Sequence, residues 1–170
     1  FSIPLAAILL ESEESDANFY GPAPNFSGVD YLGRNFSLED SIGNVTVMLF
    51  IQIENPLCIE CEEYMREEII ALGSLSESSD ANVSLITVNI RKNPYSDDGW
   101  FMASQYYGVE ITWNWVEEFE PYPIAIKYMK YWDLGGSFAN PTILLLDESN
   151  SIVAIYNIYC IGKGPIEGVK

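Results

Sequence analysis

Histidine is absent from this chain of 170 residues, and cysteine and basic residues are scarce. The sequence contains 3 cysteines, and its 8 lysines and arginines stand against 25 acidic residues, which gives a formal net charge of −17. A closed Cys/His zinc site needs more ligands than one copy of this chain can supply, so we expect no metal. The negative charge excludes nucleic acid as the main partner and disfavours anionic membrane surfaces.

Long apolar runs are also missing from the start of the chain. Residues 1–10 are apolar, but a membrane span takes about 20 residues, and an acidic segment follows at once. Because the chain starts with Phe, we interpret residues 1–19 as the remainder of a signal peptide or membrane anchor with an acidic spacer, and residues 20–170 as one domain. The alternative for residues 1–10 is a terminal strand or helix packed on the core.

Glycosylation signals also favour an exported protein. Asn-x-Ser/Thr acceptors occur at four positions, namely Asn25, Asn35, Asn44 and Asn82. We therefore expect an extracytoplasmic protein, secreted or anchored facing outside, with membrane contact only through the N-terminal segment.

Two of the cysteines, Cys58 and Cys61, stand three residues apart between a strand-like apolar run and a charged segment typical of a helix. Across the first turn of a helix, this spacing lets the two thiols form a disulfide, and the helix N-terminus lowers the pKa of the first thiol. Zinc sites use the same spacing, but the missing ligands favour redox chemistry. Cys160 has no motif around it, and we expect a buried structural thiol there.

The apolar pattern predicts a parallel βαβ core. Buried strands are expected at 45–53 and 82–89, a helix with an acidic start is expected from Cys58 to near Gly73, and a second helix is expected at 100–107. Hairpins are expected before and after this core, at 27–38 and 142–156, and a short helix is expected at 124–132. Residues 108–123, rich in Trp and Glu, fit no element.

Three ordered segments carry a family resemblance. They are GPAPNFSGVDYLGRNFSLEDSIGN at 21–44, NPLCIEC at 55–61 after a strand, and NPTILLLDESNSIVAIY at 140–156. Together they resemble the thioredoxin-like extracytoplasmic oxidoreductases of the TlpA/ResA kind, within the wider AhpC/TSA group, over residues 20–160. The resemblance implies an α/β, thioredoxin-like fold with a central mixed β-sheet flanked by helices and an N-terminal β-hairpin extension.

The resemblance also implies a reaction and the residues that perform it. Cys58 is the expected nucleophile and Cys61 the resolving cysteine, so that the chain reduces or isomerises protein disulfides. Pro141 matches the family's cis-proline, and Asn140, Pro141 and Thr142 are expected to bind an extended substrate. The partners are then a disulfide-bearing protein and a thiol electron donor, and no cofactor is expected.

Several family positions are altered in this sequence. The aromatic residue before the first cysteine is Leu57, the buried acid six residues before it is Gln52, and the glutamate three residues after the second cysteine is Tyr64. Glu54 is the acid near Cys58 that would replace the missing carboxylate. The family often has a last helix after the final hairpin, so the end at Lys170 suggests truncation or replacement of that helix.

Acidic neighbours predict the redox direction. Glu60, with Glu62 and Glu63, places negative charge near the developing thiolate, which should raise its pKa and favour a reductant over an oxidant. The alternative for these acids is a solvated helix face.

The same residues argue against two related functions. The run at 51–57 lacks the Pro and Thr pattern of peroxiredoxins, and a copper chaperone would need a histidine. A redox-inactive, thioredoxin-like binding module stays open, supported by the altered positions. Its partner surface would use aromatic residues that more commonly form core, namely Trp113, Trp115, Phe119 and Tyr122.

Overall fold

The structure is a computed structural model that describes residues 20–53, 59–78, 82–132 and 139–157, with the side chains of residues 59–61 and 132 outside the description. Its elements are strands β1 (Ser27–Val29) and β2 (Asn35–Ser37), a 3₁₀ helix (Leu38–Ser41), strand β3 (Val45–Ile51), helix α1 (Ile59–Glu77), strand β4 (Val83–Ile90), helix α2 (Gly99–Tyr107), strand β5 (Asn114–Glu118), helix α3 (Ala125–Tyr128), a second 3₁₀ helix (Met129–Trp132), and strands β6 (Thr142–Leu146) and β7 (Ile152–Asn157).

The central sheet has five strands in the order β5-β4-β3-β6-β7. Strands β3, β4 and β5 are parallel to one another. Strand β6 pairs antiparallel with β3, and β7 pairs antiparallel with β6, so the predicted mixed sheet is confirmed. Strands β1 and β2 form the separate N-terminal hairpin that was also predicted. Because parallel strands share one direction, β3, β4 and β5 end at the same edge of the sheet.

Strand β3 is buried on both of its faces, as its unbroken apolar run predicts. Val47, Leu49 and Ile51 pack in one core with α1 and α2, while Met48 and Phe50 pack in a second core with α3 and the N-terminal hairpin. The pleat therefore sends alternate side chains into different layers. No helix in the described ranges is long and apolar enough to cross a membrane.

Two local predictions need correction. Helix α1 continues past Gly73 to Glu77. Gly73 is a contact point inside the helix, since a Cβ atom there would lie 2.7 Å from Cγ1 of Val109. Residues 114–118, which fit no element by pattern, form edge strand β5, and its outer side is covered where the Tyr31 N–H donates to the Trp115 carbonyl at 2.8 Å.

The turn of the N-terminal hairpin is fixed by a buried carboxylate. Oδ1 of Asp30 accepts from the N–H groups of Leu32 and Arg34, each at 2.9 Å, and Oδ2 accepts from Nε of Arg34 at 2.8 Å. Although burial opposes ionisation, the bonds from Arg34 and Leu32 hold the pKa of Asp30 below its usual value. The opening segment of the resemblance thus has a structural reason for its Asp-x-x-Gly turn.

Candidate functional site

In the sequence, the predicted cysteine motif falls between the end of β3 and the first turn of α1. Strand β3 ends at Ile51, and α1 begins at Ile59, the residue directly after Cys58 in the sequence. Cys61 and Glu60 belong to the first turn of α1. Cys58 and Glu54 lie outside the described residues, as does Cys160. The first turn of a helix carries the positive end of its dipole, which is the setting that the motif requires.

Asn140 joins the segment before β6 to the end of β3. The residue is completely buried, and its side-chain amide pairs with the backbone of Gln52 in both directions: Oδ1 accepts from the Gln52 N–H and Nδ2 donates to the Gln52 carbonyl, each at 3.0 Å. The pair has the geometry of one more rung of the antiparallel β3–β6 ladder. Residues 140 and 141 are therefore held beside the chain that leads to Cys58.

Pro141 and Thr142 continue this segment into β6. The Asn140–Pro141 peptide bond is cis, Pro141 is buried, and Thr142 pairs with Phe50 in the ladder. The Thr142 hydroxyl donates to the Ala139 carbonyl at 2.6 Å. Since the side chains of Asn140 and Thr142 bind this chain's own backbone, substrate binding by residues 140–142 stays a prediction.

Gln52 occupies the position at which the family resemblance implies a buried acid. Only 4% of its surface is exposed, and within the described part of the chain its Nε2 has no hydrogen-bond partner. A neutral amide there cannot exchange a proton with a thiol.

A half-buried carboxylate stands two strands away, on β5. Oε1 of Glu117 accepts from the Trp100 N–H and from Nε1 of Trp115, each at 2.9 Å, and Oε2 accepts from Nδ2 of Asn89 at 2.8 Å. Burial raises the pKa of Glu117, while these three bonds and the Arg91 guanidinium, 3.8 Å away, oppose the rise. Glu117 thereby caps α2, whose own N-cap residue makes no side-chain cap bond.

Asn89 connects Glu117 to the end of β3. Ile51, Asn89 and Glu117 are in register across β3, β4 and β5. Oδ1 of Asn89 accepts from the Ile53 N–H at 3.1 Å. Gly99 leaves room for this amide, because a Cβ atom at position 99 would lie 2.1 Å from Nδ2 of Asn89 and 3.1 Å from Oε1 of Glu117.

Arg91 holds the loop between β4 and α2. Its guanidinium bonds to Oδ1 of Asp98 at 2.5 Å and to Oγ of Ser96 at 2.8 Å, and also to the Ser96 carbonyl. The same group lies 4.8 Å from the centre of the Phe119 ring. The loop that positions the start of α2 is therefore tied to the end of β4.

The sequence reasoning missed Asn89, Arg91 and Glu117. The signal that was available is their position, since Asn89 and Glu117 each stand one residue before the end of a parallel strand and Arg91 directly follows one. Polar side chains that follow neighbouring parallel strands gather at one sheet edge.

The aromatic segment divides between core and surface. Trp113 and Trp115 are buried, and Nε1 of Trp113 donates to the Thr87 hydroxyl at 2.9 Å, as the core interpretation predicts. Phe119, by contrast, is 39% exposed and Tyr122 is half-buried. The two tryptophans therefore cannot belong to a partner surface in this fold.

The architecture is the thioredoxin-like fold, and the prediction of that fold is confirmed. No protein-family model matches the sequence, and no curated protein matches it either. The fold is shared with solved structures at low sequence identity.

A thiol:disulfide interchange protein of the thioredoxin family from Chlorobium tepidum TLS is 20% identical, with a TM-score of 0.59, over 84% of this chain and 88% of that one. A putative protein disulfide isomerase from Bacteroides thetaiotaomicron is also 20% identical, with a TM-score of 0.57, over 85% and 81% of the two chains. BsSco, a member of the Sco family of cytochrome c oxidase assembly proteins in which a disulfide switch was identified, is 16% identical, with a TM-score of 0.60, over 89% and 91%.

Proposed function

We propose that this chain is a thiol-disulfide oxidoreductase that reduces or isomerises protein disulfides through Cys58 and Cys61. The observation that carries the proposal is the start of α1 directly after Cys58, at the carboxyl edge of the sheet of a thioredoxin-like fold. The thiol:disulfide interchange protein and the putative protein disulfide isomerase among the structural neighbours support the same reaction class.

The reaction balances without a cofactor. The Cys58 thiolate attacks one sulfur of a substrate disulfide, the substrate S–S bond breaks, and a mixed disulfide forms while the second substrate sulfur leaves as a thiolate that takes up a proton. The Cys61 thiolate then attacks the Cys58 sulfur and releases the first substrate thiol. Two electrons pass to the substrate, the Cys58–Cys61 pair is oxidised, and an external thiol donor restores it.

The acidic start of α1 supports a reducing direction. Glu62 and Glu63 are exposed on the first turns of the helix, where their charge disfavours a thiolate nearby. A less stabilised thiolate makes the dithiol a better reductant.

We also propose an extracytoplasmic location, secreted or anchored facing outside. The N-terminal apolar segment and the Asn-x-Ser/Thr acceptors support it.

A trapping experiment tests the proposal. In a Cys160→Ser background, Cys61→Ser removes the resolving thiol, so the mixed disulfide formed by Cys58 should accumulate with a disulfide-bonded protein such as insulin. Non-reducing electrophoresis and mass spectrometry of the adduct measure it. The matched control is Cys58→Ser in the same background, which should trap nothing.

The second candidate is a redox-inactive, thioredoxin-like binding module. Gln52 favours it, because a buried neutral amide replaces the acid that the resemblance implies at this position. If the Cys61→Ser variant traps no substrate and the wild-type chain reduces no disulfide, the oxidoreductase proposal is wrong and the binding module takes its place.

A further inference from the structure

The backbone that leaves β3 is held from both sides by side-chain amides. On one side, Asn140 pairs with the N–H and carbonyl of Gln52; on the other, Asn89 accepts from the N–H of Ile53. Two consecutive residues beyond the end of the strand are therefore fixed. The chain that reaches Cys58 five residues later starts from this fixed point.

Glu117 determines which way the Asn89 amide faces. An ionised carboxylate only accepts hydrogen bonds, so Nδ2 of Asn89 must face Oε2 of Glu117, at 2.8 Å, and Oδ1 must face the Ile53 N–H. The other oxygen of Glu117 is occupied by the N–H of Trp100 and the indole of Trp115. Every polar atom of the chain Glu117–Asn89–Ile53 has a defined role as donor or acceptor.

We propose that Glu117 and Asn89 are positioning residues for the cysteine pair: by holding the Ile53 N–H, they fix the entry to the motif and so set the reactivity of Cys58. The inference rests on the oxidoreductase proposal for its biological meaning, but the contact and its effect on Cys58 can be measured separately. It assigns a positioning role to a β5 carboxylate and a β4 amide, whereas the sequence predicted only Glu54 and Glu60 as acids that tune the cysteine pair.

An exchange of the two side-chain types tests this arrangement. Glu117→Gln places an NH₂ group against Nδ2 of Asn89, and any flip of either amide moves the donor–donor contact to Trp100 or Ile53 instead of removing it. Asn89→Asp places a second carboxylate against Glu117. Each single variant is nearly isosteric with the wild type, yet each breaks the chain of bonds.

The double variant restores the chain of hydrogen bonds from position 117 through position 89 to the Ile53 N–H. With Asp at 89 and Gln at 117, the Asp carboxylate accepts from the Ile53 N–H and from the new NH₂ group, while the Gln carbonyl still accepts from Trp100 and Trp115. All donor–acceptor pairs are then complete, with the amide and the carboxylate exchanged between strands. Such a rescue is not expected from a residue that contributes only burial or helix capping.

Two measurements on the reduced chain in a Cys160→Ser background test the contact and its effect on Cys58 separately. Hydrogen exchange at the Ile53 amide reports the contact. The rate of alkylation of Cys58, followed by mass spectrometry over a range of pH, reports both the thiol pKa and the limiting rate of the thiolate. Reduction of insulin reports the oxidoreductase function alone.

Glu118→Gln is the matched control. Glu118 neighbours Glu117 on β5 and is itself buried, but its carboxylate caps α3 on the opposite face of the sheet. This variant should lower stability and leave Ile53 exchange and the Cys58 alkylation profile unchanged.

We expect Glu117→Gln and Asn89→Asp each to speed Ile53 exchange and to change the limiting alkylation rate of Cys58 by about tenfold, with return to within about twofold in the double variant. Changed exchange with unchanged Cys58 reactivity would overturn the positioning role, and unchanged exchange would overturn the contact itself. If the wild-type chain reduces no insulin, the proposed function is refuted. This inference still stands if the alkylation rate of Cys58 changes in both single variants and returns in the double variant.

Discussion

Glu117 and Glu118 are neighbouring acids of the same edge strand, the first half-buried and the second buried, and they hold different parts of the molecule. Glu117 caps α2 and is linked through Asn89 to the backbone after β3, whereas Glu118 accepts from the N–H groups of Ile124 at 2.5 Å and Ala125 at 2.8 Å and starts the short helix α3. Burial raises the pKa of both, against the opposing effect of their hydrogen bonds.

The comparison shows how a strand divides labour between layers. Successive side chains of β5 point to opposite faces, so one acid serves the layer of α1 and α2 and the other serves the layer of α3. The two positions carry the same side chain, and the difference in role comes from what each carboxylate touches.

The largest expected loss of stability comes from a change that disturbs only the contacts of Glu117 and Asn89. Gly99→Ala places a methyl group 2.1 Å from Nδ2 of Asn89, so we expect a loss of about 3 kcal/mol in the free energy of unfolding and faster exchange at Ile53. Urea denaturation and amide exchange measure the two effects. If the clash is the cause, the same change in an Asn89→Ala background costs much less.

Ser104→Ala is the control on the same helix. It removes one hydrogen bond to the Trp100 carbonyl without adding bulk, and it should cost under about 1 kcal/mol. An equal loss in Gly99→Ala and Ser104→Ala would contradict the close packing at Gly99.

Glu118→Gln should have an intermediate effect on the other side. Its NH₂ group must face one of the two N–H donors of α3, so we expect a loss of about 1 to 3 kcal/mol in urea denaturation. Exchange should speed up at Ile124 and Ala125 and stay unchanged at Ile53. Faster exchange at Ile53 would show that the two acids are coupled, and the division between layers would then be wrong.

A change at Glu68 should have the smallest effect on stability, and it should stabilise the fold instead of destabilising it. Burial, with a contribution from the charge of Glu67, raises the pKa of this α1 residue to about 8, and its Oε2 is without a hydrogen-bond partner among the described residues. Because the folded-state pKa lies above the usual 4.5, the folded state loses stability as the pH rises from about 4.5 to about 8.

Glu68→Gln should therefore raise the melting temperature by a few degrees at pH 8 and leave it unchanged near pH 4, by thermal denaturation at both pH values. Glu63→Gln on the same helix is the control, since Glu63 is exposed and, unlike Glu67, does not contribute to the raised pKa of Glu68. A gain that is equal at both pH values would rule out titration of Glu68 as its cause.

The fold was largely predictable because its central elements are local patterns. The apolar run of β3, the charged helix after it and the final hairpin each lie within one continuous stretch, and a pattern in one stretch is what a sequence displays directly. Strand β5 was not predictable in this way, because its two glutamates resemble a solvated segment when their partners on α2, β4 and α3 are unknown.

The candidate site was predictable in its motif and not in its supports. Cys58 and Cys61 follow from spacing, and Asn140 follows from its place before Pro141. Asn89 and Glu117 act through contacts between residues 28 apart in sequence, which no local pattern reveals. Gly73 shows the same limit, since a glycine typical of a helix end is required here by Val109 of another segment.

The two asparagines beside β3 have one more consequence. Each supplies from a side chain the hydrogen bonds that a neighbouring peptide group would supply in a longer sheet. A peptide group is present whatever the residue, but an asparagine can be replaced by a single mutation. Evolution can therefore adjust the stiffness of the sheet at this edge one residue at a time, without altering the strands that carry the fold.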